Sequence, residues 1–138
     1  KLTINKWKFE EVNFKGHEID LDGIFNNLIT NSVDAYKRTD AGDLREIRLS
    51  FAFNQLEPNG ISVVYQDFGP GLLEEITDQN KIFQPFFTTK RDEKTGEKIG
   101  TGLGMWIVKS TIDEYNGDVE IVQARPNFKL KITLPHNL

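Results

Sequence analysis

The chain has 138 residues, enough for one globular domain and too few for a second of ordinary size. Apolar residues make up 38% and charged residues 28%, which supports a real core and excludes disorder of the whole chain. The net charge of −4 argues against general nucleic-acid binding, the absence of Cys excludes disulfides, thiolate zinc sites and a cysteine nucleophile, and two His are too few for a multi-histidine metal cage.

No apolar run approaches the roughly 18 residues of a membrane span, and no signal peptide opens the sequence, so this segment is not expected to contact a membrane directly. Residue 1 is Lys rather than Met, and the expectation is a single domain, residues 1–138, cut from a longer protein.

Residues 2–9 alternate loosely and read as an edge strand. Asp20 or Asp22 can cap a helix of about 16 residues, in which Ile24, Phe25, Leu28, Ile29, Ser32, Val33, Ala35 and Tyr36 recur at helical spacing. The polar residues 39–43 end it. Residues 45–53 alternate at period two and 61–66 are β-rich, and Pro58-Asn59-Gly60 between them predicts a hairpin. A short helix is expected near 72–77, and residues 87–101, polar and glycine-containing, read as a mobile loop. A second helix covers about 103–116 with Gly117 as its stop, and two strands follow near 118–123 and 128–134. Strand, helix, hairpin, loop, helix, hairpin predicts a two-layer α/β (α+β) sandwich, with helices on one face of a mixed, mostly antiparallel sheet.

Four segments could carry chemistry. In the first helix Asn27, Asn31 and Asp34 share a face, and an amide oxygen suits Mg²⁺ that already carries phosphate. Asp67-Phe68-Gly69-Pro70-Gly71 follows a strand. Its carboxylate could accept from an exocyclic amine, and its glycines let backbone approach a flat ring. Ile82-Phe83-Gln84-Pro85-Phe86-Phe87-Thr88-Thr89-Lys90 joins an aromatic anchor to phosphate-directed side chains. Gly100-Thr101-Gly102-Leu103-Gly104 opens the second helix, where free N–H groups favour anions. Singly, each admits a plainer reading: a solvated helix face, an ordinary turn, a hydrophobic plug beside a lysine, a glycine-rich turn.

In this order and spacing the four segments resemble the N, G1, F and G2 boxes of the GHKL superfamily of ATP-binding domains, from about Asp20 to Pro135. The wording IFQPFFTTK followed by GTGLGMWIVK is most similar to the catalytic domains of sensor histidine kinases. The resemblance implies a Bergerat fold and an Mg-ATP site. It implies Asn31 as Mg²⁺ ligand, Asn27 near the phosphates, Asp67 selecting adenine, and Gly69 and Gly71 against the ring. Lys90, Thr101, Gly102, Leu103 and Gly104 would line the phosphate side under a lid whose base Phe86 and Phe87 hold. Asn27, Asn31 and Lys90 would then serve catalysis.

Position 27 separates subclasses: ATPases such as MutL carry a water-activating Glu there, whereas Asn27 cannot act as a base near neutral pH. The implied function is a cytoplasmic histidine kinase catalytic domain whose parent is free or membrane-anchored. It would present the γ-phosphate to a histidine on a separate dimerisation domain, with a response regulator downstream, and would not autophosphorylate alone. The alternatives are an ATPase-type nucleotide switch and an ATP-binding regulatory module without turnover. Arg125-Pro126-Asn127-Phe128 departs from the glycine-rich turn common before the final strand. His17-Glu18 has the look of a phospho-acceptor motif, but His17 lies only ten residues before Asn27 and reads as a surface histidine, as does His136.

Overall fold

A computed structural model describes residues 2–5, 16–39, 45–54 and 60–135. Its elements in chain order are β1 (Leu2–Asn5), α1 (Glu18–Tyr36), β2 (Ile47–Asn54), β3 (Gly60–Asp67), a 3-10 turn (Gln79–Phe83), α2 (Gly104–Glu114), β4 (Asp118–Gln123) and β5 (Phe128–Pro135). The five strands form one sheet in the order β1-β2-β3-β5-β4, parallel only between β1 and β2. This is the α/β sandwich expected from the sequence.

Alternation along the strands turns one face inward. Leu49 pairs with Tyr65, Tyr65 with Leu130, and Leu130 with Ile121, giving a buried row across the sheet. Helix α1 lays Ile24, Leu28, Ser32, Ala35 and Tyr36 on the core, and α2 lays Val108 and Ile112 there, both at helical spacing. Burying apolar side chains of this size contributes about 1.5–3 kcal/mol each before conformational entropy is set against it.

The elements differ from expectation in three places. Helix α1 begins at Glu18 with His17 as N-cap; Asp20 does not cap it, because its carboxylate accepts from the Tyr115 hydroxyl at 2.5 Å. No helix forms over 72–77. There the Arg125 guanidinium donates to the carbonyls of Leu72, Leu73 and Ile76, and Leu72 N–H goes to the Ala124 carbonyl, so the groups a helix would pair are already engaged. Helix α2 stops through Asn116 in the left-handed region (φ 55°), with Gly117 N–H returning to the Ile112 carbonyl and Asn116 N–H to that of Asp113. Residues 88–100 form a loop, as expected, and it is folded back on itself: Arg91 and Lys98 bridge, Asp92 N–H reaches the Glu97 carbonyl, and Asp92 Oδ1 accepts from the N–H groups of Lys94 and Thr95. The expected turn at Pro58-Asn59, residues 6–9 of the edge strand, residues 40–43 and His136 lie outside the described residues.

Candidate functional site

A cavity of about 60 Å³ opens between the two helices and the ends of β3 and β5. Leu28, Asn31, Ser32 and Ala35 of α1 line it, together with Asp67, Gly71, Ile82, Met105 and Phe128. Asp67 lies at the end of β3, opposite Phe128 in register, and is 3% exposed. Such a carboxylate is tolerable only with hydrogen bonds. Oδ1 accepts from Gly69 N–H at 3.0 Å and Oδ2 from the Ser32 hydroxyl at 2.6 Å. The Ser32 oxygen is also 2.6 Å from the Tyr65 hydroxyl, which lies 3.0 Å from the Leu28 carbonyl. Burial pushes the Tyr65 phenol far above its ordinary value, and the neighbouring Asp67 charge adds to this.

The segment after Asp67 is fixed from several sides. The Tyr36 hydroxyl accepts from Phe68 N–H and donates to the Glu46 carbonyl, and burial raises this phenol too. Asn127 N–H donates to the Gly69 carbonyl, and Arg38 to that of Gly71. Gly71 has φ 76°, and a β-carbon there would stand 2.3 Å from the Ala124 carbonyl oxygen, so no other residue fits without moving the backbone.

The opposite end is formed by α1, the start of α2 and the folded-back segment. Asn27 donates from Nδ2 to the Gly23 carbonyl, and its Oδ1 would meet a β-carbon on Gly104 at 2.9 Å, so a side chain there would displace the Asn27 amide. Gly102, with φ 66°, presses on the Phe86 backbone, where a β-carbon would lie 2.5 Å from the Phe86 carbonyl carbon. Lys90 Nζ lies 2.6 Å from Asp34 Oδ2. That hydrogen bond, with help from Lys37, holds the Asp34 carboxyl below its ordinary range despite some burial. Thr101 accepts from Leu103 N–H through its hydroxyl. Thr88 donates to the Ile99 carbonyl, and Leu103 caps α2.

The residues singled out from the sequence therefore fall into two groups. Asn31, Asp67 and Gly71 meet at the cavity; Asn27, Lys90, Thr101, Gly102, Leu103 and Gly104 gather at the neighbouring end of the helices. Gly69 sits behind Asp67, against the Tyr36 ring. Phe87 packs on the core, but Phe86 is 75% exposed with φ 64°; its backbone, not its ring, meets Gly102. Sequence reasoning missed Ser32 and Tyr65 as polar partners of Asp67, and also Tyr36, Arg38 and Arg125. A serine and a tyrosine at core-facing positions were the available signal, since each buries a hydroxyl that needs a partner.

The chain matches the family described as histidine kinase-, DNA gyrase B-, and HSP90-like ATPase over residues 16–138, and it belongs to that family. It is 33% identical over 107 residues to the sensor histidine kinase CpxA of Escherichia coli strain K12, covering 76% of this chain and 20% of that protein. To the sensor histidine kinase GlnK of Bacillus subtilis strain 168 it is 34% identical over 114 residues, 81% of this chain and 25% of that protein. The catalytic domain of histidine kinase ThkA in a nucleotide-free form superposes with a TM-score of 0.61 at 26% identity, covering 86% of this chain and 68% of that one. The chain thus spans a fifth to a quarter of the length of these curated relatives and has the fold of a kinase catalytic domain. It is an ATP-binding domain of the sensor histidine kinase type. Among the described residues no helix is long and apolar enough to cross a membrane.

Proposed function

We propose that this domain presents the γ-phosphate of ATP to a histidine on a separate dimerisation domain, for onward transfer to a response regulator. The observation that carries the reading is Asn27, held by its bond to Gly23 and set against Gly104 at the mouth of α2. An amide there can hold a phosphate group in place but cannot take a proton from water near neutral pH. The nucleophile must then come from outside.

Base and phosphates would be held at different ends. Asp67, a buried acceptor lining the cavity, suits the exocyclic amine of adenine and repels the carbonyl of guanine. The N-terminus of α2 carries no acidic residue in its first turn and offers free N–H groups and a positive dipole end to the phosphates. Lys90 reaches Asp34 on the same side and supplies a cation. Among the described residues no group of three His, Cys, Asp or Glu side chains could hold a metal by itself. Asn31 lines the cavity and its amide oxygen, joined by phosphate oxygens, is the hard donor set that Mg²⁺ takes. When bound, the ion would neutralise charge on the phosphates. The protein's share is positioning: a docked histidine gains by effective molarity, and without a base the route to water loses about 10²–10⁴ in rate.

The test is radiolabelled ATP with the domain, with and without a supplied histidine-bearing helical domain of the parent. Slow, concentration-dependent labelling of the helical domain and none of this chain is expected. Label on His17, or hydrolysis by the domain alone at about one per second or faster, overturns the reading in favour of an acceptor or an ATPase.

A further inference from the structure

We propose that Ser32 and Tyr65 are positioning residues that fix the Asp67 carboxylate, and so set the preference for a purine with a 6-amino group. The inference rests on the adenine-binding reading above and deepens it.

Three buried groups follow one another: the Tyr65 hydroxyl, the Ser32 hydroxyl and Asp67 Oδ2, with both O···O separations 2.6 Å. An ionised carboxylate only accepts, and each hydroxyl has one hydrogen to give. Ser32 gives its hydrogen to Asp67, so its oxygen must receive from Tyr65; were the Tyr65 hydrogen directed to the Leu28 carbonyl at 3.0 Å instead, two bare oxygens would face each other at 2.6 Å. Leu28 O already takes Ser32 N–H in the ladder of α1, so it does not require the phenol. The relay therefore runs Tyr65 to Ser32 to Asp67. Hydrogen bonds in such a chain polarise one another and strengthen the last, charge-assisted bond.

The packing alone does not need these hydroxyls. Tyr65 is fully buried and Ser32 is 2% exposed, so Phe and Ala would fill most of the same space without burying polar atoms. What the hydroxyls do is occupy one side of Oδ2 while Gly69 N–H occupies one side of Oδ1. The carboxylate plane can then neither rotate nor be drawn aside, and Ser32 and Asp67 both border the cavity where a base would lie. An amine in that cavity meets a fixed acceptor. A keto group meets the same fixed acceptor and is repelled.

The experiment measures calorimetric affinities of the 138-residue domain for ATP and for purine riboside triphosphate, which lacks the 6-amino group. In the unaltered protein ATP should bind more tightly. Ser32→Ala should weaken ATP about tenfold and the deamino nucleotide less than about twofold, and Tyr65→Phe should weaken ATP about threefold with the same pattern. In an Asp67→Asn background Ser32→Ala should have no further amine-specific effect. Equal weakening of both nucleotides, or of neither, overturns the positioning role. Tyr65→Phe removes one oxygen and keeps the ring, so it serves if Ser32→Ala fails to fold. If the unaltered protein binds both nucleotides equally, or neither, the adenine reading itself falls, and this is visible before any variant is made.

Discussion

The two ends of the site are built on different plans. At the end proposed for the base, Asp67 is held by Ser32 from 35 residues away, and Arg125 grips carbonyls 49 to 53 residues away. At the end proposed for the phosphates, the segment from Thr88 to Thr101 is tied to α1 through the Lys90–Asp34 pair and otherwise held by its own neighbours, through side-chain bonds that span 2 to 11 residues. Asp67 is 3% exposed, whereas Phe86 is 75% and Ile99 45% exposed. A long-range bond that is also buried, as Ser32–Asp67 is, breaks only when much of the domain opens, and short-range, exposed ones break locally. The base end is thus part of the framework, and the phosphate end can adjust without unfolding it.

This contrast can be broken by substitution. The largest effect is expected for Gly71→Ala, which forces a β-carbon into the Ala124 carbonyl and a side chain into the left-handed region. A loss of about 2–5 kcal/mol of stability should appear as a lower urea midpoint. Gly102→Ala makes a comparable clash with Phe86 at the adjustable end; it should lower stability less and nucleotide affinity more, and the reverse order would erase the distinction. Next, Asp67→Asn should weaken ATP binding by about 1.5–3 kcal/mol, the range for a charge-assisted hydrogen bond, and reduce discrimination against GTP. Calorimetry with both nucleotides decides it.

Amide exchange sharpens the same comparison. Residues 88–101 should exchange fast in the free domain and more slowly with a non-hydrolysable ATP analogue, while Phe68 and Gly69 should be protected in both states. The smallest effect concerns the Asp34–Lys90 pair, with side chains 30% and 40% exposed. Asp34 has its carboxyl lowered from 3.8, so its contribution is complete above about pH 4 and disappears as pH falls through the depressed value. Asp34→Asn should therefore lower stability by less than about 1 kcal/mol at neutral pH, and by progressively less as the pH falls through the depressed value. A difference that grows on acidification would show that the sign is wrong.

Much of the framework was legible in the sequence because it rests on local periodicity. The apolar spacing of α1 and the alternation of β2, β3 and β5 each report a face, and the structure follows them to within a few residues. The four motif segments likewise stand out by composition, and the structure gathers them around the two helices. What was hidden depends on distant partners. The sequence of 72–77 permits a short helix, and only Arg125, far along the chain, takes its carbonyls away. Ser32 has the spacing of a core residue, and nothing local says that its hydroxyl faces Asp67. Phe86 has the composition of an anchor, yet its positive φ turns the ring outward and leaves Phe87 to pack inside.

The turn from Ala124 to Asn127 has a consequence for synthesis. Its carbonyl, guanidinium and amide hold Leu72, Leu73, Ile76 and Gly69, and β5 begins directly opposite Asp67. A nascent chain that has emerged only as far as β4 has every residue of the four motif segments and no closed pocket around Asp67. Folding of the base end must wait for contacts of high sequence separation, the slow class of contact. A chain stopped after residue 123 should then bind no adenine nucleotide, so ATP would reach only domains whose translation has already passed the final strand.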